Sequence, residues 1–181
     1  MGKIRSEIND VARRLIEAQK VFFVASAPLD ATGHINLSPK GQDTFRILGP
    51  TTVAYLDYNG SGVETIAHLK ENGRIVLMFS AFQGPPDILR LYGQGRVVEA
   101  HEREFTALAK SFSAFEHVRS IIVVEVTRVQ DSCGYGVPLF KYEGERTQLQ
   151  AWATKRGAAG LKAYRQKKNR KSIDGLPGIS E

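Results

Sequence analysis

What limits this chain most is the rapid succession of short apolar runs between residues 21 and 129. Residues 21–26, 35–40, 45–48, 51–57, 74–79, 88–98 and 121–129 each have the length and the β-branched or alternating character of a strand. Glycine and proline punctuate them, at Pro28 to Gly33, at Gly49-Pro50 and at Gly84-Pro85-Pro86. Six or seven strands joined mostly by short turns favour an antiparallel barrel over alternating βα units. The expected fold is therefore mainly β, with helices at the periphery.

Those helices are few. Ile4, Ile8, Val11, Leu15 and Ala18 share a helical stripe, which predicts a helix over about 5–19 with Ser6 as its cap. A second is predicted over 63–72, stopped by Gly73, and a third over about 101–112 from Phe105, Leu108 and Phe112. Gly93 and Gly95 inside the long 88–98 strand predict a bend or a close backbone approach. Beyond Asp131 the texture changes to a loop around Cys133 and two helices, at 144–155 and 158–168. No repeat or linker divides the chain. One domain over 1–181 is expected, a barrel over about 10–130 with a C-terminal helical appendage over about 131–181.

The totals exclude some functions. No apolar run nears the roughly 18 residues of a membrane span, and residues 21–27 lack a signal-peptide layout, so no membrane role and a cytoplasmic setting are expected. Cys133 stands alone, which leaves no internal disulfide and no Cys-rich metal site. His34, His68, His101 and His117 show no recurrent ligand spacing, so no metal is expected. Ser61 lacks the nucleophile-elbow pattern, and Gly93-Gln94-Gly95 is too short for a dinucleotide fingerprint. The net charge of +6 is concentrated: nine Lys and Arg and no acid lie between Arg146 and Ile173. With Trp152 and Tyr164 nearby, that segment could bind nucleic acid, but a solvated helix face is the commoner outcome.

The stretch from His34 to Phe79 holds the chemistry. Ile35 and Leu37 alternate with Asn36 and Ser38, giving a strand with an apolar face turned inward and a polar face that ends in Lys40. The turn-rich Tyr58 to Gly62 loop then feeds a helix that begins near Glu64 and Thr65. Backbone N–H groups collect at such a junction and favour an anion the size of a phosphate. No acid or base stands out as a catalyst.

These motifs have a known counterpart. Residues 35–41, the strand through Asp57, and Ser61-Gly62-Val63-Glu64-Thr65 before a helix and an apolar strand resemble the FMN-binding split barrel of the pyridoxamine 5'-phosphate oxidase-like superfamily, over roughly residues 10–130. The resemblance implies a split β-barrel homodimer, FMN as cofactor, and oxidoreductase activity on a small molecule. It implies that Asn36, Ser38 and Lys40 lie along the flavin, and that Ser61, Gly62, Glu64 and Thr65 hold its phosphate. The true oxidases carry an Arg-Lys pair where this chain has Ser61-Gly62, and their C-terminal substrate motif has no match in residues 131–181. A branch distinct from the true oxidases is therefore implied, with hydroxyl and backbone donors meeting the phosphate. The alternatives are a haem-binding or haem-handling member of the same barrel superfamily and a non-enzymatic flavin- or nucleic-acid-associated binding protein.

Overall fold

The computed structural model describes residues 2–113 and 117–180. Its eight strands are β1 (Ile4–Arg5), β2 (Val21–Ser26), β3 (Asn36–Gly41), β4 (Phe45–Ile47), β5 (Thr52–Tyr58), β6 (Arg74–Ser80), β7 (Ile88–Glu99) and β8 (Val118–Ser132). Four helices accompany them, α1 (Asp10–Ala18), α2 (Glu64–Asn72), α3 (Arg103–Ala109) and α4 (Gln148–Lys168). Every strand pairing is antiparallel. Seven strands follow the order β3-β2-β6-β7-β8-β5-β4, and the two-residue β1 adds to β8.

The order explains the barrel. β3 and β4 are the two edges of the sheet, yet only three residues separate them along the chain. Three residues span little more than 10 Å, so the edges must curl toward each other; the β4–β5 ladder runs on into this connection, where Leu56 N–H donates to the Thr44 carbonyl at 2.9 Å. Aromatic rings fill the inside. Phe22 on β2, Phe45 on β4, Tyr55 on β5 and Phe79 on β6 stand 5.0–5.6 Å apart in edge and stacked pairs. β5 and the first half of β8 are buried on both faces, which is why they read as unbroken apolar runs. The fold is thus the mainly β split barrel that the strand pattern and the resemblance implied.

Particular residues account for the rest. Gly73 caps α2 in the left-handed region at φ 72°. Gly93 lies at a register shift between β7 and β8, where a side chain would run into the Glu125 carbonyl. α1 is shorter than the stripe suggested: Asn9 caps it by accepting from Ala12 N–H, while Ile4 belongs to β1. Its inward residues are Ala12 and Ile16, and Val11 is exposed. α3 covers only the middle of its expected range. α4 is two helices run together across Gly157, whose φ of 62° and ψ of 176° break the helix where a break was expected. Ala153 and Leu161 are its buried residues, whereas Trp152 and Leu149 are only half-buried.

The largest departure concerns β3. Its polar side chains Asn36, Ser38 and Lys40 are the half-buried ones, and Ile35 and Leu37 are 78% and 64% exposed. β3 is an edge strand, so alternation alone did not say which face the barrel would cover. The apolar face is open.

Candidate functional site

β3 and α2 bring three of the expected residues into one hydrogen-bonded chain. Ser38 Oγ donates to Asn36 Oδ1 at 3.1 Å, and Asn36 Nδ2 donates to Thr65 Oγ1 at 2.9 Å. Thr65 is in the first turn of α2, a helix that starts at Val63 with no side-chain cap. The first-turn N–H groups of an uncapped helix carry partial positive charge. Ser61 and Gly62 precede it and are exposed.

The Asn59–Ser61 loop is oriented from behind. Asn169, fully buried at the end of α4, donates from Nδ2 to the Gly60 carbonyl at 2.9 Å and to the Ser61 carbonyl at 3.4 Å. Arg119 Nη1 also donates to the Gly60 carbonyl, at 3.3 Å, and Arg165 Nη1 donates to Asn59 Oδ1 at 3.2 Å. The Gly60 and Ser61 carbonyls are thus held on the Asn169 side, and Asn59 N–H donates to the His117 carbonyl at 3.4 Å. Glu64 fits less well. Its carboxylate folds back over Gly62, where an added Cβ would lie 2.5 Å from Oε2. An anion in this loop would reach the Glu64 backbone N–H only with that carboxylate swung aside.

Lys40 ends the polar face, and Asp57 holds it there. Lys40 Nζ is 2.9 Å from Asp57 Oδ1, and Arg119 Nε is 2.7 Å from Asp57 Oδ2. Asp57 is 1% exposed and Arg119 is 7% exposed. Burial alone would raise the Asp57 pKa, but the charges of Arg119 and Lys40 and their hydrogen bonds outweigh it and hold the carboxyl at about 2. One carboxylate therefore serves two cations, and the group carries net positive charge. Asp57 and Arg119 were not picked out from the sequence. The available signal was a charge at the end of the otherwise apolar 53–56 run, in register with Ser120 beside an arginine. Asn169 offered no signal, since its partners lie more than 100 residues away.

Next to Lys40 opens a cavity of about 1080 Å³, bounded by the ends of β3 and β5, by the irregular segment 140–147 and by the start of α4. Asn36, Ser38 and Thr65 lie outside its lining, whereas Lys40 and, from the loop before α2, Asn59 and Gly60 belong to it. From Asn36 to Lys40 a strand advances about 13 Å. Of the four histidines, His68 is enclosed with Nδ1 2.9 Å from Ser26 Oγ, and His34 Nδ1 is 2.6 Å from Asp174 Oδ1. Among the described residues no three His, Cys, Asp or Glu side chains gather as a metal site would require, and no helix is long and apolar enough to cross a membrane.

Comparison with known proteins bears on the family and the fold. The pyridoxamine 5'-phosphate oxidase family model matches residues 8–133. The chain is 38% identical over 189 residues to the pyridoxamine 5'-phosphate oxidase family protein ustO of Aspergillus flavus, an alignment that takes in 95% of this chain and 76% of that protein. Solved structures share the fold at lower identity. HupZ of Group A Streptococcus superposes with a TM-score of 0.53 at 21% identity, over 67% of this chain and 91% of that one. A Clostridium acetobutylicum protein related to general stress protein 26 of B. subtilis, of the pyridoxinephosphate oxidase family, gives 0.51 at 14%, over 68% and 86%. The family-model match covers the barrel from α1 to the end of β8 and stops before the C-terminal segment, whereas the alignment with ustO, at 95% of this chain, extends into that segment. On the extent of that match and the identity to ustO, the chain belongs to the pyridoxamine 5'-phosphate oxidase family.

Proposed function

We propose that this protein binds FMN and acts as a flavin-dependent oxidoreductase on a small molecule, working as a homodimer. The observation that carries the reading is the Asn59–Ser61 loop, its carbonyls drawn back by Asn169 and Arg119, in front of the uncapped start of α2. A phosphomonoester needs such a cluster of donors. The Thr65 and Ser61 hydroxyls are the side chains that would complete it, and the polar face of β3 would carry the rest of the cofactor toward Lys40. FMN, when bound, supplies the hydride chemistry. The chain's own part is to fix the ring and to set its electrostatics. The Lys40 ammonium, kept in place by Asp57, favours negative charge nearby and so favours a reduced, anionic ring.

A second copy is the proposed cover for the open face of β3. Ile35 and Leu37 expose apolar surface along an edge strand that a partner would bury.

The test is direct. Protein incubated with FMN and freed of excess ligand should keep the flavin, with its fluorescence altered, and should prefer FMN to riboflavin. A protein that retains neither flavin, and instead takes up haem with a ligand-bound absorption band, sinks the cofactor assignment.

A further inference from the structure

Segment 140–147, leading into α4, is an irregular strap that borders the cavity beside Lys40, and it is fastened at both ends. At one end Phe140 N–H donates to the Phe82 carbonyl at 2.9 Å, and the two rings stand 5.4 Å apart. At the other, Gln42 Nε2 donates to the Arg146 carbonyl at 3.2 Å and Gln42 Oε1 accepts from Gln150 Nε2 at 2.9 Å. Gln42 achieves this from φ 60°, a left-handed conformation unusual for a residue with a side chain. Strain of this kind persists where surrounding contacts hold it, and it concentrates at ligand sites.

The lining has two characters. Phe82, Phe140 and Tyr142 give it aromatic surface, and Lys20 stands 5.9 Å from the centre of the Tyr142 ring. Lys141 and Arg146 add two cations that, among the described residues, form no ion pair. Glu145, which accepts from the Tyr142 hydroxyl at 2.7 Å, is the acid in this wall. Aromatic walls and surplus positive charge select a flat ring that carries an anion. The volume, at the upper end of the range usual for small-molecule sites, is ample for one or two fused rings.

We propose that the strap cavity binds a small aromatic carboxylic acid, its ring against Phe82 and Phe140 and its carboxylate toward Lys141 and Arg146. Its role as the substrate pocket, delivering the acid to the Lys40 end of the flavin, rests on the FMN reading; the binding site itself does not.

The experiment titrates the whole protein, with and without FMN, with 2-naphthoate and with neutral 2-naphthylmethanol, following the fluorescence anisotropy of the naphthalene. FMN binding is measured in parallel on the same samples. Saturable binding of naphthoate, at least tenfold weaker for the alcohol, is the result expected. Lys141→Gln combined with Arg146→Gln should weaken naphthoate about tenfold, and Phe140→Ala should weaken both probes. Equal binding of acid and alcohol, or binding of neither, overturns the proposal. Mutual exclusion of naphthoate and FMN also overturns it, because the cavity is then the flavin's own seat. Naphthoate binding as expected in a protein that does not take up FMN upholds this site while removing the flavin reading.

Discussion

Replacing Asp57 by asparagine keeps the shape of the site and deletes the charge on which two cations converge. The two do not suffer equally. The Lys40 side chain is 23% exposed and can carry its ammonium to water, whereas the Arg119 side chain is 6% exposed and cannot. Breaking a buried pair by removing one partner costs about 3–5 kcal/mol. The Arg119 side of the triad should set the loss, and Asp57→Asn should lower the melting temperature by roughly 6–20 °C for a chain of this size. Adding Arg119→Met to Asp57→Asn should recover part of that, since the stranded charge goes too. The pH dependence has a definite sign. The carboxyl sits at about 2 in the folded protein against 3.8 for the free group, so its stabilisation is complete above about pH 4 and disappears as pH falls through about 2. That shift corresponds to about 2 kcal/mol, and over the same window the urea stabilities of wild type and Asp57→Asn should converge by about that amount. If Asp57→Asn costs less than about 1 kcal/mol at pH 7, or the two proteins keep a constant gap down to pH 2, the argument that this buried carboxylate holds the site together is wrong.

Thr65→Val deletes one hydroxyl donor and should weaken FMN about ten- to a hundredfold, the effect of one charge-assisted hydrogen bond of about 1.5–3 kcal/mol, while riboflavin binding stays nearly unchanged. Equal weakening of both ligands in a fluorescence titration would place the phosphate elsewhere. Lys40→Met should weaken both flavins and shift the flavin reduction potential to a more negative value; an unmoved potential contradicts a place beside the ring. Leu37→Lys puts a charge on the open face of β3 and should turn a dimer into a monomer in light scattering, whereas a wild-type monomer at micromolar concentration that binds FMN tightly defeats the dimer proposal. Asn169→Ala removes the two donors that orient Gly60 and Ser61 and should cost about 1–3 kcal/mol together with several-fold in FMN affinity. Retention of both would mean that the loop holds its shape alone.

The barrel was legible because its signal is local. Runs such as 75–79 and 121–124 are apolar throughout, Gly49-Pro50 and Gly84-Pro85-Pro86 end strands outright, and Gly73 and Gly157 mark helix ends that the backbone honours. The grouping of Asn36 and Ser38 with Thr65 was expected, and the geometry places them within hydrogen-bonding distance. What stayed hidden depends on pairing at long range. The inward turn of the polar face of β3 follows from its place at the sheet edge, which alternation does not encode. The Lys40, Asp57 and Arg119 group joins β3, β5 and β8, and no spacing rule links residues from three strands. In α1 the stripe of Ile4, Ile8, Val11, Leu15 and Ala18 was the expected buried line, but the helix begins at Asp10, five residues after its expected start, and its buried residues are Ala12 and Ile16.

The way Asn169 reaches back to Gly60 and Ser61 carries a consequence for the order of events in synthesis. The β5 to α2 connection emerges early, but the side chain that turns its carbonyls inward is made 109 residues later, and Lys70 of α2 waits still longer for the Gly178 carbonyl and the Ser180 hydroxyl. At about 5–20 residues per second of translation, that is a delay of roughly 5–20 seconds. During it the barrel strands can pair while the junction before α2 is unfinished. A nascent chain halted before residue 165 should therefore contain the strands and hold phosphate esters poorly, and cofactor loading would follow translation instead of guiding it.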